Sequence, residues 1–563
     1  MRVVLIAAGF AVLAAPTWLQ SWQGEFSAFP VVSAVYLLVI AFLVTTWGRV
    51  PTSGPGSRTP LAGVVAGGAG VVLVALAAYR FIDVVLLNPP DPTRGDMLTV
   101  IEQAGWRFLQ GRNPYSDYQL PWEAGLSYGP PLWGPFMVPA LLRLDLRLLT
   151  ATGQLFIPIC CGAAAVFEAG RARMTAAGAW TLLLAGLVFN PDLLRFVSVG
   201  HTPVYWPLLP LLAILIVGEH WRAAAAVLGV LVAGRATMTV MVPVLLTAVW
   251  HRDRPRALAT GLVGAGVVTA LLLPFFVWDP GSMWHGMINN YTERIKEIVW
   301  HSADQGAIRT IGLTGWLLSH GLERLVDLSQ VAALAVVYPI AWRQLRRGAS
   351  TVPLMALALF AFSMTTVWPV YYAHFDVMFL LTSAALAESA GAMSWRRALG
   401  SWPVVLASSA VLVAGTVLVL TRSEPSVVVA EEPGRRWLRD GFGGLEDDGA
   451  RRYAWIDGAR GVVLLPRSRS TGAEIVVTGR PFLAAGNTSM PVTAVLNDVP
   501  LGTRQTRGDW QEVRFQAPAS AWRIGANELE LTFPPARSPK ELGLSTDARH
   551  LSMAIQRVDV RAE

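Results

Sequence analysis

Cysteine is nearly missing from this sequence. The 563 residues hold two, Cys160 and Cys161, side by side in an apolar run, so neither a metal cluster nor a disulfide framework is on offer. Charge is scarce too: 15% of residues are charged against 53% hydrophobic, and mean hydropathy is +0.46. Soluble domains carry about a quarter charged residues, which excludes that class for most of the length. The loops contain no Asp-x-Asp pair to hold a metal with a nucleotide sugar, no Walker-type glycine loop and no His/Glu metal-ligand spacing. Internal repeats and low-complexity segments are absent as well. The net charge of +7 is an arginine excess of the kind that marks cytoplasmic loops, so the expected partner is a lipid bilayer and not nucleic acid.

What is present is a succession of apolar runs. A bilayer core takes about 20 apolar residues per helix. On that rule thirteen spans are expected, near 3–19, 31–47, 62–87, 149–167, 174–190, 202–218, 221–234, 236–250, 257–278, 325–342, 352–371, 374–387 and 402–421. The opening MRVVLIAAGFAVLAAPTW has signal-peptide features, but a second apolar run follows at once, and it reads as a retained span. Arginine collects in alternate short connections: Arg49 and Arg58, Arg171 and Arg173, Arg222, Arg252, Arg254 and Arg256, Arg343, Arg346 and Arg347, Arg396 and Arg397. The opposite short connections, 20–30, 191–201, 235 and 372–373, hold only Arg195 and Arg235, which predicts a cytoplasmic N-terminus and an external C-terminus. The same parity lets only one apolar piece between 128 and 167 cross. YGPPLWGPFMVPALL (128–142) carries Pro130, Pro131, Pro135 and Pro139, so it is expected to be interfacial or re-entrant, while 149–167 spans.

Two long polar stretches fall on the external side. In the first, 88–148, Met97, Val100, Ile101, Ala104 and Phe108 mark one face of a helix lying on the membrane surface, ended by Gly111 and an Asn113-Pro114 turn. The second, 279–324, mixes Trp284, His285, Asn289, Asn290, Tyr291, Arg294, Lys296, His301, Asp304, Gln305 and Arg309. After residue 421 a charged linker, 422–452, leads into short alternating runs over 453–563: GVVLLP, AEIVVTG, PVTAVLN, QEVRFQA, NELELTF and LSMAIQRVDV. These, with Asn-Asp and Gly-Ala-Asn turns between them, predict an all-β sandwich. The fold class expected is therefore an α-helical polytopic membrane protein with a C-terminal all-β sandwich domain.

Several motifs occur in an order that resembles the C-type (GT-C) glycosyltransferases, and locally glycosyltransferase family 87. RGDMLTVIEQAGWRFLQGRNPY followed by SYGPPLW is similar to that family's first-loop pattern. NPDLLRFVSVGHTPVYWPLL is similar to its Gly-Gln segment, with His201 where Gln is usual, and VLVAGRATMTVMVPVLL to a hairpin that usually carries Lys, here Arg235. SADQGAIRTI resembles an Asn-Gln-Ser pattern ending in Arg309, and TTVWPVYYAHF a Trp-x-x-Tyr/His element. The resemblance covers roughly residues 60–390 and departs from the pattern at His201, Arg235 and Asp304, which bears on donor identity. The Trp-Trp-Asp element of oligosaccharyltransferases is missing. The C-terminal runs resemble galactose-binding-like or jelly-roll carbohydrate modules, a pattern that any β-sandwich also satisfies.

Sugar transfer from a lipid phosphate needs a base for the acceptor hydroxyl and cations for the departing phosphate. The resemblance puts the base at Asp96, a position that an ordinary helix N-cap also explains; Asp91, between prolines, is the alternative and reads as a turn residue. Arg235 stands between two apolar halves, where ionisable groups are costly enough to imply function, snorkelling being the plain alternative. Its guanidinium suits the donor phosphate, with Arg309 and His201 as further donor-phosphate candidates. Tyr115, Tyr128, Gln305, Trp368, Tyr371 and His374 are the candidates for sugar or acceptor, although interfacial aromatic belts account for rings at this depth without a ligand. What the resemblance implies is an inverting, metal-independent and cofactor-free transferase of the bacterial plasma membrane. It would move a mannose- or arabinose-like sugar from a polyprenyl-phosphate donor to a glycan or glycolipid acceptor at the external face. The alternative is a transporter or flippase of lipid-linked sugars.

Overall fold

The structure is a computed structural model that describes residues 1–18, 29–47, 60–87, 97–119, 123–142, 144–171, 173–200, 202–294, 312–367, 373–391, 427–429, 437–467, 471–483, 487–523 and 525–562. The chain is mostly helical with a C-terminal β-sheet domain. It divides into two compact units: Met1–Phe81, Pro92–Val138 and Leu149–Gly415 form one, and Ile82–Asp91, Pro139–Leu148 and Thr416–Glu563 the other.

Helix lengths among the described residues leave the expected thirteen spans unconfirmed. Among the described residues, Gly67–Val85, Arg147–Gly170, Arg254–Trp278 and Glu323–Arg346 are long and apolar enough to cross a membrane. Met174–Val188 and Pro191–Val197, bent by 57°, form a fifth candidate if the pair is one span. Six more apolar helices run only 10–17 residues, and the expected span at 402–421 lies outside the described residues. Proline and glycine cause much of the shortening. Asn190-Pro191 starts a new helix whose N-cap Asn190 accepts from the amides of Asp192 and Leu193. The helix Trp221–Gly234 stops at an extended Arg235 (φ −144°, ψ 110°), and a 3-10 turn, Ala236–Met241, precedes Val242–Trp250. The proline-rich stretch breaks as its composition requires, into Pro130–Trp133, a 3-10 turn Gly134–Phe136 and Met137–Leu141.

Two helices illustrate how the helical unit is sorted. Arg254–Trp278 buries only Ala257 and Thr260 and leaves Leu258 and Val277 about 70% open, an apolar surface on a helix long enough to cross a membrane. It approaches Trp221–Gly234 closely enough that a Cβ on Gly229 would lie 2.8 Å from the Gly264 carbonyl oxygen. By contrast Ala373–Gly391 is almost wholly buried, yet carries two acids. Asp376 stands in its first turn. Near its end, Glu388 takes hydrogen bonds from Arg2 Nη1 at 2.5 Å, Trp47 Nε1 at 2.7 Å and Ser350 Oγ at 3.3 Å.

The first polar stretch contributes a small hairpin, β1 (Asp117–Gln119) and β2 (Glu123–Gly125). The sandwich follows: β3 (Val427–Val428), β4 (Leu438–Asp440), β5 (Phe442–Asp447), β6 (Arg452–Asp457), β7 (Arg460–Arg467), β8 (Ala473–Pro481), β9 (Ser489–Leu496), β10 (Val499–Arg507), β11 (Gln511–Ala517), β12 (Gly525–Thr532) and β13 (Leu551–Ala562). Four strands, β3 to β6, thus begin inside the stretch 422–452 expected to be a linker. One sheet is ordered β10-β9-β12-β7-β4 and the other β11-β8-β13-β6-β5 with β3 on β13; every pairing is antiparallel. Alternating side chains meet in one core that includes Trp437, Val463, Ile475, Val477, Leu496, Phe515, Trp522, Leu529 and Leu531. The Asn497-Asp498 turn joins β9 to β10 with both residues at positive φ, 47° and 68°.

Candidate functional site

The first polar stretch opens with the helix expected from its periodicity. Met97–Leu109 buries Leu98, Val100, Ile101 and Ala104, and Gly111 (φ 72°) ends it. Asn113 then turns the chain: its Oδ1 accepts from the Tyr115 amide at 2.8 Å, and its carbonyl accepts from Arg107 Nε at 2.6 Å. Tyr115 is 2% exposed and donates its hydroxyl to the Tyr128 carbonyl at 3.2 Å, closing the loop across the β1–β2 hairpin. Burial raises the Tyr115 phenol above its ordinary range. Burial likewise pushes Tyr118 up to about 12, against the pull of the Arg107 charge, and its hydroxyl donates to the Pro114 carbonyl. These rings brace the loop from inside.

The second polar stretch, expected to be a loop, is helical where it is described: Pro280–Trp284, capped by Asp279, runs into a π-helix, His285–Arg294. It docks on the first. His285 Nε2 lies 3.3 Å from Asp117 Oδ2, and Asn290 Nδ2 donates to Ser127 Oγ at 2.5 Å and to the Gly125 carbonyl at 3.3 Å. At the far edge of the first stretch, the Gly129 amide donates to the Gly234 carbonyl at 3.0 Å. Position 129 must be glycine, because a Cβ there would fall 1.6 Å from the Ala233 carbonyl oxygen. The SYGPP segment is therefore joined backbone to backbone to the break that carries Arg235.

Arg235 is not the isolated cation that its sequence context suggests. Its Nη1 lies 2.5 Å from Asp376 Oδ2 and donates to the Tyr205 hydroxyl at 2.8 Å. Tyr205 in turn donates to Asp376 Oδ2 at 2.7 Å, and Trp206 Nε1 to Oδ1 at 2.8 Å. The side chains of Arg235 and Asp376 are 13% and 4% exposed. A buried carboxylate with a cation and two further donors is compensated on both oxygens.

Among the expected site residues, the structure thus brings Arg235, Tyr115 and Tyr128 into one neighbourhood. Asp96, Asp91, Arg309, His201, Gln305, Trp368 and Tyr371 lie outside the described residues. Neither Tyr115 nor His374 presents a ring face for a sugar: His374 is fully buried, edge-on to Tyr36 at 5.1 Å and to Phe360 at 6.2 Å. Sequence reasoning passed over Asp376, Tyr205, Trp206 and the Asp117–His285 pair.

No family model matches the chain, and no curated protein matches it. A solved structure of a family 35 carbohydrate binding module from an environmental isolate is similar at 17% identity over 23% of this chain and 88% of that one, with a TM-score of 0.17, too low to carry a fold assignment.

Proposed function

We propose that the chain is a membrane glycosyltransferase that takes its sugar from a polyprenyl-phosphate donor. The observation that carries this reading is the buried Arg235–Asp376 pair, set in a helix break that is hydrogen-bonded to the SYGPP segment of the first polar stretch. A cation held at a backbone break beside docked polar segments suits a phosphate arriving on a lipid. The ordered motifs shared with the C-type enzymes support the same reading. In the reaction, the acceptor hydroxyl oxygen bonds to the anomeric carbon from the face opposite the phosphate. The bond from that carbon to the phosphate oxygen breaks, its electron pair leaves with the lipid phosphate, and the hydroxyl proton passes to Asp96. Configuration inverts. Arg235 faces the negative charge that grows on the leaving oxygen.

The test is transfer of label from polyprenyl-phosphate mannose and polyprenyl-phosphate arabinose by the purified chain, with the product identified. Asp96→Asn is expected to lower transfer by at least a hundredfold in folded protein, and wild-type rates in that variant would refute its role. Arg235→Met is expected to raise the donor KM or abolish turnover. The bent pair Met174–Val188 and Pro191–Val197 and the break at Arg235 also suit a carrier of lipid-linked sugars, since carriers bind at discontinuous helices. Movement of intact donor across proteoliposomes, with no transfer, would favour that second reading.

A further inference from the structure

We propose that Asp376, Tyr205 and Trp206 form a positioning site that fixes the Arg235 guanidinium for a lipid-linked phosphate, an inference that rests on the transferase reading above. Arg235 sits on an extended link between a helix and a 3-10 turn, where the backbone alone does not aim a long side chain. Two oxygens share its Nη1, Asp376 Oδ2 at 2.5 Å and Tyr205 Oη at 2.8 Å, which fixes that end of the fork. The carboxylate is itself fixed. Trp206 Nε1 occupies its other oxygen at 2.8 Å, and the Trp206 ring is wedged against Phe379 at 4.3 Å and Phe196 at 6.0 Å.

The order of support is therefore packed aromatics, then indole, then carboxylate, then guanidinium, with the tyrosine hydroxyl bridging the last two. Each step removes a rotation from the next, which is how a site holds a charged group within a few tenths of an ångström of its working position. Charge follows the same logic. With Asp376 ionised the pair is neutral overall, so a phosphate meets an oriented cation whose field is partly offset, and the released lipid phosphate is not trapped by an uncompensated charge. Asp376 is a positioning residue in this scheme, because it acts through Arg235.

A double-mutant cycle on the purified full-length chain tests it. Arg235→Gln and Asp376→Asn are each expected to lower kcat/KM for the donor by about a hundredfold. Combined, they are expected to be no worse than Arg235→Gln alone, within about threefold, because residues acting through one another do not add. Losses that multiply in the double variant would overturn the proposal. Tyr205→Phe keeps the ring and removes its bonds to the pair, and is expected to lose about tenfold. If Asp376→Asn does not yield monodisperse protein, Tyr205→Phe takes its place in the cycle with Arg235→Gln. The same variants are also read by Kd for undecaprenyl phosphate. Coupled losses of binding in a chain that transfers no sugar would support the positioning site while the transferase reading fails. A wild-type chain that neither transfers sugar nor binds the lipid phosphate would overturn both.

Discussion

Gly129 sets a steric limit on the site at the scale of one residue. A methyl group there would overlap the Ala233 carbonyl, so Gly129→Ala must push SYGPP away from the break and lose the 3.0 Å hydrogen bond to Gly234. The expected outcome is a folded chain destabilised by about 1–3 kcal/mol, with donor kinetics impaired alongside Arg235, measured by thermal unfolding and transfer rate. Asp376 teaches a different lesson about single residues. The rule that an ionisable group in an apolar run is costly unless partnered picked out Arg235, and it applies equally to the acids in AHFDVMFLLTSAALAES. Pairing residues 141 positions apart needs the fold, but the presence of a counter-charge was legible.

Among elements, strands were legible where one face is buried and the other open. β12 alternates buried and half-buried side chains along its whole length, and its run stood out in the sequence. β6, RYAWID, buries its four central residues on both faces, and β10, VPLGTRQTR, is a polar edge strand, so neither alternates and neither was read. The Asn-Asp turn was legible from its residue types, while Gly-Ala-Asn falls inside β12. There Asn527 is buried and bonded to the Leu465, Arg523 and Gly525 carbonyls. Asn497 reaches from the β9–β10 turn to the Ala521 carbonyl at 2.7 Å and to Asn527 Oδ1 at 2.8 Å. Asn497→Ala is expected to cost about 2–3 kcal/mol, more than turn strain alone, because it strips a buried partner from Asn527; chemical denaturation of the full chain measures it.

The irregular stretch before β13 is held by charge. Arg549 hydrogen-bonds Asp547 through its side chain and its amide, which holds the Asp547 carboxyl below the usual carboxylate range, and it also donates to Glu446 through Nη2 at 2.6 Å. A depressed folded-state value means stability that is complete above the unfolded value of about 3.9 and is lost as pH falls through the lower folded one. Calorimetric unfolding of the β unit in the full chain is expected to hold steady down to about pH 4.5 and decline below it, with a smaller decline in Asp547→Asn.

For the whole molecule, the apolar and alternating runs gave a mostly helical part with candidate membrane spans followed by a C-terminal β-sheet domain, whereas the number of full crossings was not legible. A hydropathy run does not reveal where a helix breaks, and the short helices on either side of Arg235 read as two spans on length and apolarity alone. The sidedness expected from the arginine counts is testable. In a chain with Cys160 and Cys161 replaced by serine, single cysteines at Arg347 and Asp498 are expected to react with a membrane-impermeant maleimide from opposite sides of sealed vesicles. Labelling from one side would reverse the assignment.

Ala373–Gly391 is gripped near its beginning at Asp376 and near its end at Glu388. Twelve residues of helix separate the two grips, about 18 Å of rise. A rod pinned at two depths can neither piston along its length nor roll about its axis without breaking one grip. Any change of shape that keeps both grips must therefore carry Arg235 at one end and Arg2 and Trp47 at the other along with Ala373–Gly391 as one body.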